Sequence, residues 1–126
     1  LFPYNDALPI FASTKKELMA LPVDIRSFFG HAPDLAQRSD RHDSAKVLHG
    51  FGCAGVLEII DDGVGGTYRA VYTVKFEEAV FVLHCFQKKS KSGIATPKQE
   101  MDLVRARLQS AQQWIEELRH EKTYRR

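Results

Sequence analysis

Apolar residues recur along this chain first with a helical period, then in alternation, then with a helical period again. Residues 1–9 hold two prolines and little period. Pro9 suits only the start or edge of a strand through Ile10 and Phe11, because it has no amide to give to a ladder. Thr14 offers an N-cap, and Glu17 three residues on completes a capping box. Leu18 and Leu21 give a short apolar face, and Pro22 ends that helix or opens the next. Ile25, Phe28, Phe29, Ala32, Leu35 and Ala36 then follow helical spacing. Residues 14–37 therefore read as a helical hairpin or one bent helix. Pro33 removes the amide that would bond the Phe29 carbonyl, and Gly30 weakens the same turn, so a bend is expected there.

Residues 38–55 are polar, glycine-containing and aperiodic, a loop by pattern. Three strands follow at 56–60, 67–74 and 79–86. They are separated by a glycine-rich turn at 61–66 and a second turn at 75–78, which makes an antiparallel meander. The last element is the clearest. Thr96 is an N-cap, Pro97 takes the first helical position and Gln99 completes a capping box. Met101, Val104, Leu108, Ala111, Ile115 and Leu118 then recur at steps of three and four to about His120, with Trp114 beside the stripe. The order is strand, helix, helix, three strands, helix. That is an α+β fold with helices on one side of a small antiparallel sheet. Residues 1–126 form one domain, with 1–9 and 121–126 as poorly ordered tails.

Composition adds bounds. The chain has 126 residues, 44% hydrophobic and 27% charged, enough for one core and too short for two. No apolar run approaches the roughly 20 residues of a membrane span. No apolar segment follows a basic start, so no secretory signal is read. Cys53 and Cys85 do not make a disulfide framework, and a reducing cytoplasm is the simplest setting. The net charge of +2 hides an asymmetry. Residues 1–83 carry 8 Lys/Arg against 11 Asp/Glu, while residues 84–126 carry 10 against 5. The basic C-terminal part suits an anionic partner, unless it is simply a solvated helix.

Candidate chemistry lies in that part and on the strand before it. Arg69 lies mid-strand between apolar neighbours, facing opposite to Tyr68, Ala70 and Tyr72. It reads either as an oxyanion or phosphate clamp or as an ion-pair partner of Glu58 on the next strand. Lys88, Lys89, Lys91 and Lys98 follow Phe86 with no acid among residues 86–98, a pattern that suits a nucleic-acid backbone with one base to stack. His84 alternates in register with Val80, Val82 and Phe86. It is a core histidine or, at a strand end beside the lysines, a proton-transfer group. No zinc spacing, serine elbow, cysteine nucleophile or phosphate-binding glycine motif is present, and no metal or cofactor is expected.

The strings AKVLHGFG, VLEI, GTYRAVYTV and VFVLHCFQKKSKSGIATPKQE resemble the RelE/HigB-like toxins, above all the phage-derived branch of the RelE/ParE superfamily. The likeness covers residues 11–111 and includes KKELMALP and DLAQ. It implies a RelE-like fold, an N-terminal helical hairpin packed on a small twisted antiparallel sheet with a C-terminal helix. It also implies a cytoplasmic toxin encoded beside an antitoxin of helix-turn-helix type. That toxin would be a metal-independent endoribonuclease that cuts mRNA on the ribosome by 2′-hydroxyl attack on the phosphodiester.

By the same resemblance Arg69 matches the arginine of YRxVY that contacts the scissile phosphate, and Lys88 and Lys89 match the basic pair after the third meander strand. His84 matches a shared histidine, and Lys46 the loop lysine of AKxLKG. Departures are His49 where Lys is usual, Val47 where Pro is common, and Pro33 inside the second helix. The expected catalytic set is Arg69, His84, Lys88 and Lys89. The expected RNA contacts are Lys46, His49, Tyr72, Phe86, Lys91 and Lys98, with Tyr72 or Phe86 stacking an unpaired base. The competing readings are a ParE-like toxin that binds DNA gyrase or another protein without catalysis, and an inactive phage remnant. The lysine pair favours the nuclease.

Overall fold

A computed structural model describes residues 9–38, 42–51, 55–63, 66–88 and 96–124. Three helices and four strands lie among them: α1 (Pro9–Met19), α2 (Val23–Gln37), β1 (Lys46–Val47), β2 (Val56–Gly63), β3 (Gly66–Thr73), β4 (Phe81–Lys88) and α3 (Lys98–Tyr124). The strands form one antiparallel sheet in the order β1-β2-β3-β4. Each strand neighbours the next in sequence, the arrangement that short turns permit.

The meander is where the alternation placed it, with strand ends shifted by up to three residues. Gly63 pairs Gly66 at the first hairpin. Gly66 has φ +147°, and a Cβ there would come within 3.1 Å of the Lys88 carbonyl oxygen, so the turn needs glycine. β1 was not foreseen. It pairs Lys46 with Glu58 and Val47 with Leu57, and two residues are too few to show a period.

The N-terminal strand does not form. Ile10 and Phe11 lie inside α1, which Pro9 opens as its first residue, a position where a missing amide costs nothing. Thr14 is then mid-helix and buried, so it caps nothing. Its hydroxyl donates to the Leu83 carbonyl of β4, 3.4 Å away. Pro22 separates the helices, its carbonyl accepting from the Arg26 amide. α2 runs through Pro33 to Gln37. α3 continues beyond His120 to Tyr124, into the stretch expected to be a tail.

Helices cover both faces of the sheet, not one. Leu57, Ile59, Tyr68, Ala70, Tyr72, Val82 and Cys85 pack with Leu18, Leu21, Ile25 and Phe29 of α1 and α2. On the other face Val56, Val71, Phe81, Leu83 and Phe86 pack with Val104, Ala111 and Ile115 of α3. Each aliphatic side chain fully withdrawn from water in these layers contributes roughly 1.5–3 kcal/mol. The stripe on α3 is also rotated slightly from its expected centre. Val104, Arg107, Ala111 and Ile115 are buried, whereas Met101, Leu108 and Leu118 flank them.

A bulge sets the polar end of the sheet. Val71 pairs His84, but Tyr72 pairs Val82, leaving Leu83 as an extra residue in β4. Because side chains alternate, one inserted residue exchanges the faces of everything beyond it. Val80 and Val82 therefore face α1 and α2, while His84 and Phe86 face α3. The four do not share a face as the uninterrupted alternation predicts.

Candidate functional site

Charged and polar side chains collect where α1, the middle of β4 and the amino end of α3 meet. His84 is 4% exposed, and its ring stacks on Phe86 with centroids 4.8 Å apart. Its Nδ1 lies 2.8 Å from Glu17 Oε1, and its Nε2 contacts Glu100 Oε2. Arg107 reaches in from α3. It donates from Nη1 to Glu17 Oε1 (2.7 Å) and to the Leu83 carbonyl (2.9 Å), and from Nη2 to Glu17 Oε2 (2.9 Å). The Cys85 amide also donates to Glu17, at 3.3 Å.

This network solves a backbone problem. β4 is an edge strand, and the outward Leu83 carbonyl and Cys85 amide would otherwise lack partners. Thr14, Glu17 and Arg107 supply them, and in doing so bring two charges into a half-dry site. Burial alone would raise the pKa of Glu17. Hydrogen bonds and charge from His84 and Arg107 outweigh it and bring the pKa to about 2. At Cys85 burial, joined by the charge of Glu17, outweighs the opposing charge of Arg107, and the thiol is pushed up to about 12. Cys85 is thus an inert core residue and no nucleophile.

A second cluster adjoins on the same face of the sheet. Arg69 is 2% exposed and pairs with Glu58 across the β2–β3 ladder, Nη1 to Oε2 at 3.6 Å. Thr96, just before α3, joins them: its hydroxyl accepts from Arg69 Nη1 (3.1 Å) and donates to Glu58 Oε2 (2.9 Å). Arg69 Nε is buried without a hydrogen-bond partner. The hydroxyl assigned by sequence to a capping box is thus engaged by the sheet. The first helical bond of α3 runs from the Met101 amide to the Pro97 carbonyl, so Pro97 stands at the cap.

The structure therefore sorts the expected residues. Arg69 and Glu58 are the ion pair that the sequence allowed, and Arg69 offers no open guanidinium face to a phosphate as it stands. Tyr72 is 1% exposed in the layer under α1 and α2, on the face opposite Arg69, and presents no ring to a base. Phe86 is buried against His84. Lys88 is buried opposite Thr67, in register with Phe86 and His84 along the end of β4. Lys46, His49 and Lys98 are exposed. They surround the start of α3. Lys46 stands opposite Glu58, and Glu58 holds Thr96 two residues before Lys98. The loop after β1 rests on α3, with Arg105 over the Phe51 ring at 5.4 Å. Lys89 and Lys91 lie outside the described residues.

Sequence reading missed Glu17, Glu100 and Arg107. Arg107 carried a signal, since it falls between Val104 and Ala111 on the apolar stripe, as Arg69 falls within an apolar strand. Glu17 was hidden by its fit to a capping box. Among the described residues no group of three or more His, Cys, Asp and Glu side chains is placed to hold a metal ion. No helix among them is long and apolar enough to cross a membrane.

Comparison with known proteins gives one match. Residues 16–109 fit the family model described as phage derived protein Gp49-like (DUF891). No curated protein matches, and no solved structure matches. The matched span takes in the last four residues of α1, all of α2 and the sheet, and the first twelve residues of α3, so Glu17, His84, Glu100 and Arg107 and the Arg69–Glu58–Thr96 cluster fall inside it.

Proposed function

The chain belongs to the phage-derived Gp49-like family, a family of toxin–antitoxin toxins, and from that premise we propose that it is a toxin that cuts messenger RNA on the ribosome. A cognate antitoxin, of helix-turn-helix type by the resemblance, restrains it. The observation that carries the nuclease reading is the convergence at the amino end of α3. An imidazole on β4 bridging two carboxylates, a buried Arg69–Glu58 pair on the central strands and the exposed cations Lys46 of β1 and Lys98 of α3 line the α3 side of the sheet from one edge to the other. Cleavage by a neighbouring 2′-hydroxyl needs a proton acceptor, positive charge for the crowded phosphorus and a route for the proton to the leaving oxygen. The His84 network supplies a titratable group. The lysines around α3 supply charge that meets solvent, and the amino end of the helix favours a phosphate beside them.

One observation favours a second reading, a toxin that acts by binding a protein. Arg69, Arg107 and His84 already face Glu58, Glu17 and Glu100, so the buried cations are internally balanced. The two readings separate in a reconstituted translation mixture given purified protein and end-labelled mRNA. The nuclease reading expects fragments ending in 2′,3′-cyclic phosphate, formed only while ribosomes translate. Translation that stops with every transcript intact would establish the binding reading instead.

A further inference from the structure

The two carboxylates that flank His84 are not equivalent. Glu17 has both oxygens held by Arg107 and one also by the Cys85 amide, although 24% of its side chain is exposed. Glu100 stands on the first turn of α3 with 30% of its side chain exposed. Its Oε2 meets His84, and among the described residues no hydrogen bond occupies its Oε1.

Counting protons fixes which ring nitrogen must donate. Glu17 is an acceptor only, so the Nδ1 facing it at 2.8 Å carries a hydrogen. Arg107 Nη1 has two hydrogens, and the shorter contacts to Glu17 and the Leu83 carbonyl use them. Its 3.3 Å approach to Nδ1 therefore requires no lone pair there. One proton remains between Nε2 and Glu100 Oε2, and Glu100 is a base while Nε2 carries it. The ring thus bridges one carboxylate held on both oxygens and one with an oxygen to spare.

We propose that Glu100, backed by His84, is the acid–base residue of this site, accepting the proton of a ribose 2′-hydroxyl in single-stranded mRNA; the proposal rests on the endonuclease reading above. His84 is the positioning residue. It fixes the carboxylate through Nε2 and is itself fixed by Glu17 and by its stack on Phe86.

The step balances without a metal or redox partner. Glu100 Oε1 takes the 2′-hydroxyl proton as the 2′-oxygen bonds to phosphorus. The bond from phosphorus to the 5′-oxygen breaks, its electron pair leaving on that oxygen, which takes a proton from water. The hydroxide so formed removes the proton from Glu100. The products are a 2′,3′-cyclic phosphate and a 5′-hydroxyl. Lys98, two residues before Glu100, provides positive charge on the same first turn of α3.

The test compares wild type, Glu100→Gln and Glu100→Asp in the translation mixture, with thermal midpoint and co-sedimentation with ribosomes measured on each. Glutamine keeps the size and an acceptor oxygen but cannot take the proton. Glu100→Gln is expected to sediment with ribosomes and melt within a few degrees of wild type while cleaving at least a hundredfold more slowly, the range of general acid–base catalysis. Glu100→Asp is expected to recover part of the rate. Cleavage by a folded Glu100→Gln within threefold of wild type would overturn the proposal. So would a loss of rate no larger than its loss of folded protein. If wild type itself leaves translated mRNA whole, the endonuclease reading falls first, and the role of Glu100 falls with it.

Discussion

At Glu17 burial would raise the carboxyl pKa, yet His84 and Arg107 hold it at about 2, below its ordinary 4.5. A pKa depressed by folding adds stability that is complete above the unfolded value and disappears as pH falls through the folded one. The difference corresponds to about 3 kcal/mol, reduced to about 1–2 by the quarter of the side chain that meets water. Urea unfolding should show wild type losing that much between pH 4.5 and pH 2, and Glu17→Gln should lose markedly less over the same interval. Arg69 calls for a different comparison. Its removal strands the Glu58 carboxylate, which is 8% exposed, and stranding a buried charge costs roughly 3–5 kcal/mol. Arg69→Ala should therefore unfold far more readily, while Arg69→Lys keeps most of the stability, as chemical denaturation will report. Only the lysine variant is then informative about chemistry. The Arg69–Glu58 alternative was legible because a strand register names its own neighbours. Glu17 and Arg107 were not, because contacts between 23 and 93 residues apart leave no local period.

The elements were legible in proportion to their length. α3 showed six apolar positions over eighteen residues, and the meander showed two turns between alternating runs. β1, with two residues, showed nothing. The Leu83 bulge was invisible for a related reason: β4 is buried on both faces, and His84, the polar residue beside the slip, is buried like its neighbours, so polarity does not mark the change of phase. That slip matters most for the site, because it turns His84 from the α1–α2 layer to α3 and its carboxylate. The element that closes the second core is α3 itself. Ile115 is fully buried there with Val104 and Ala111. Ile115→Ala should cost about 2–5 kcal/mol in denaturant unfolding, with an unchanged m-value if the remaining fold is intact. A loss below 1 kcal/mol would mean that α3 is not packed on the sheet as described.

Across the whole molecule the sheet lies between α1–α2 on one face and α3 on the other, and the His84 network is the polar seam that ties α1, β4 and α3 together. The α+β class and the C-terminal helix followed from periodicity, whereas the placement of α3 on the opposite face did not. An apolar stripe says that a helix is covered without saying by which face of a sheet. The basic side chains likewise divide in two. Arg107 is consumed by internal pairing, while Lys46, His49 and Lys98 remain at the surface where a polyanion would meet them. The central claim is that this surface and its seam cut translated mRNA. The most direct test induces the wild-type chain in bacterial cells carrying two copies of a reporter, one with and one without a start codon, and maps new 5′ ends on both. The account predicts growth arrest with new 5′ ends inside the reading frame of the translated copy alone. Arrest with no new ends on either transcript would contradict it.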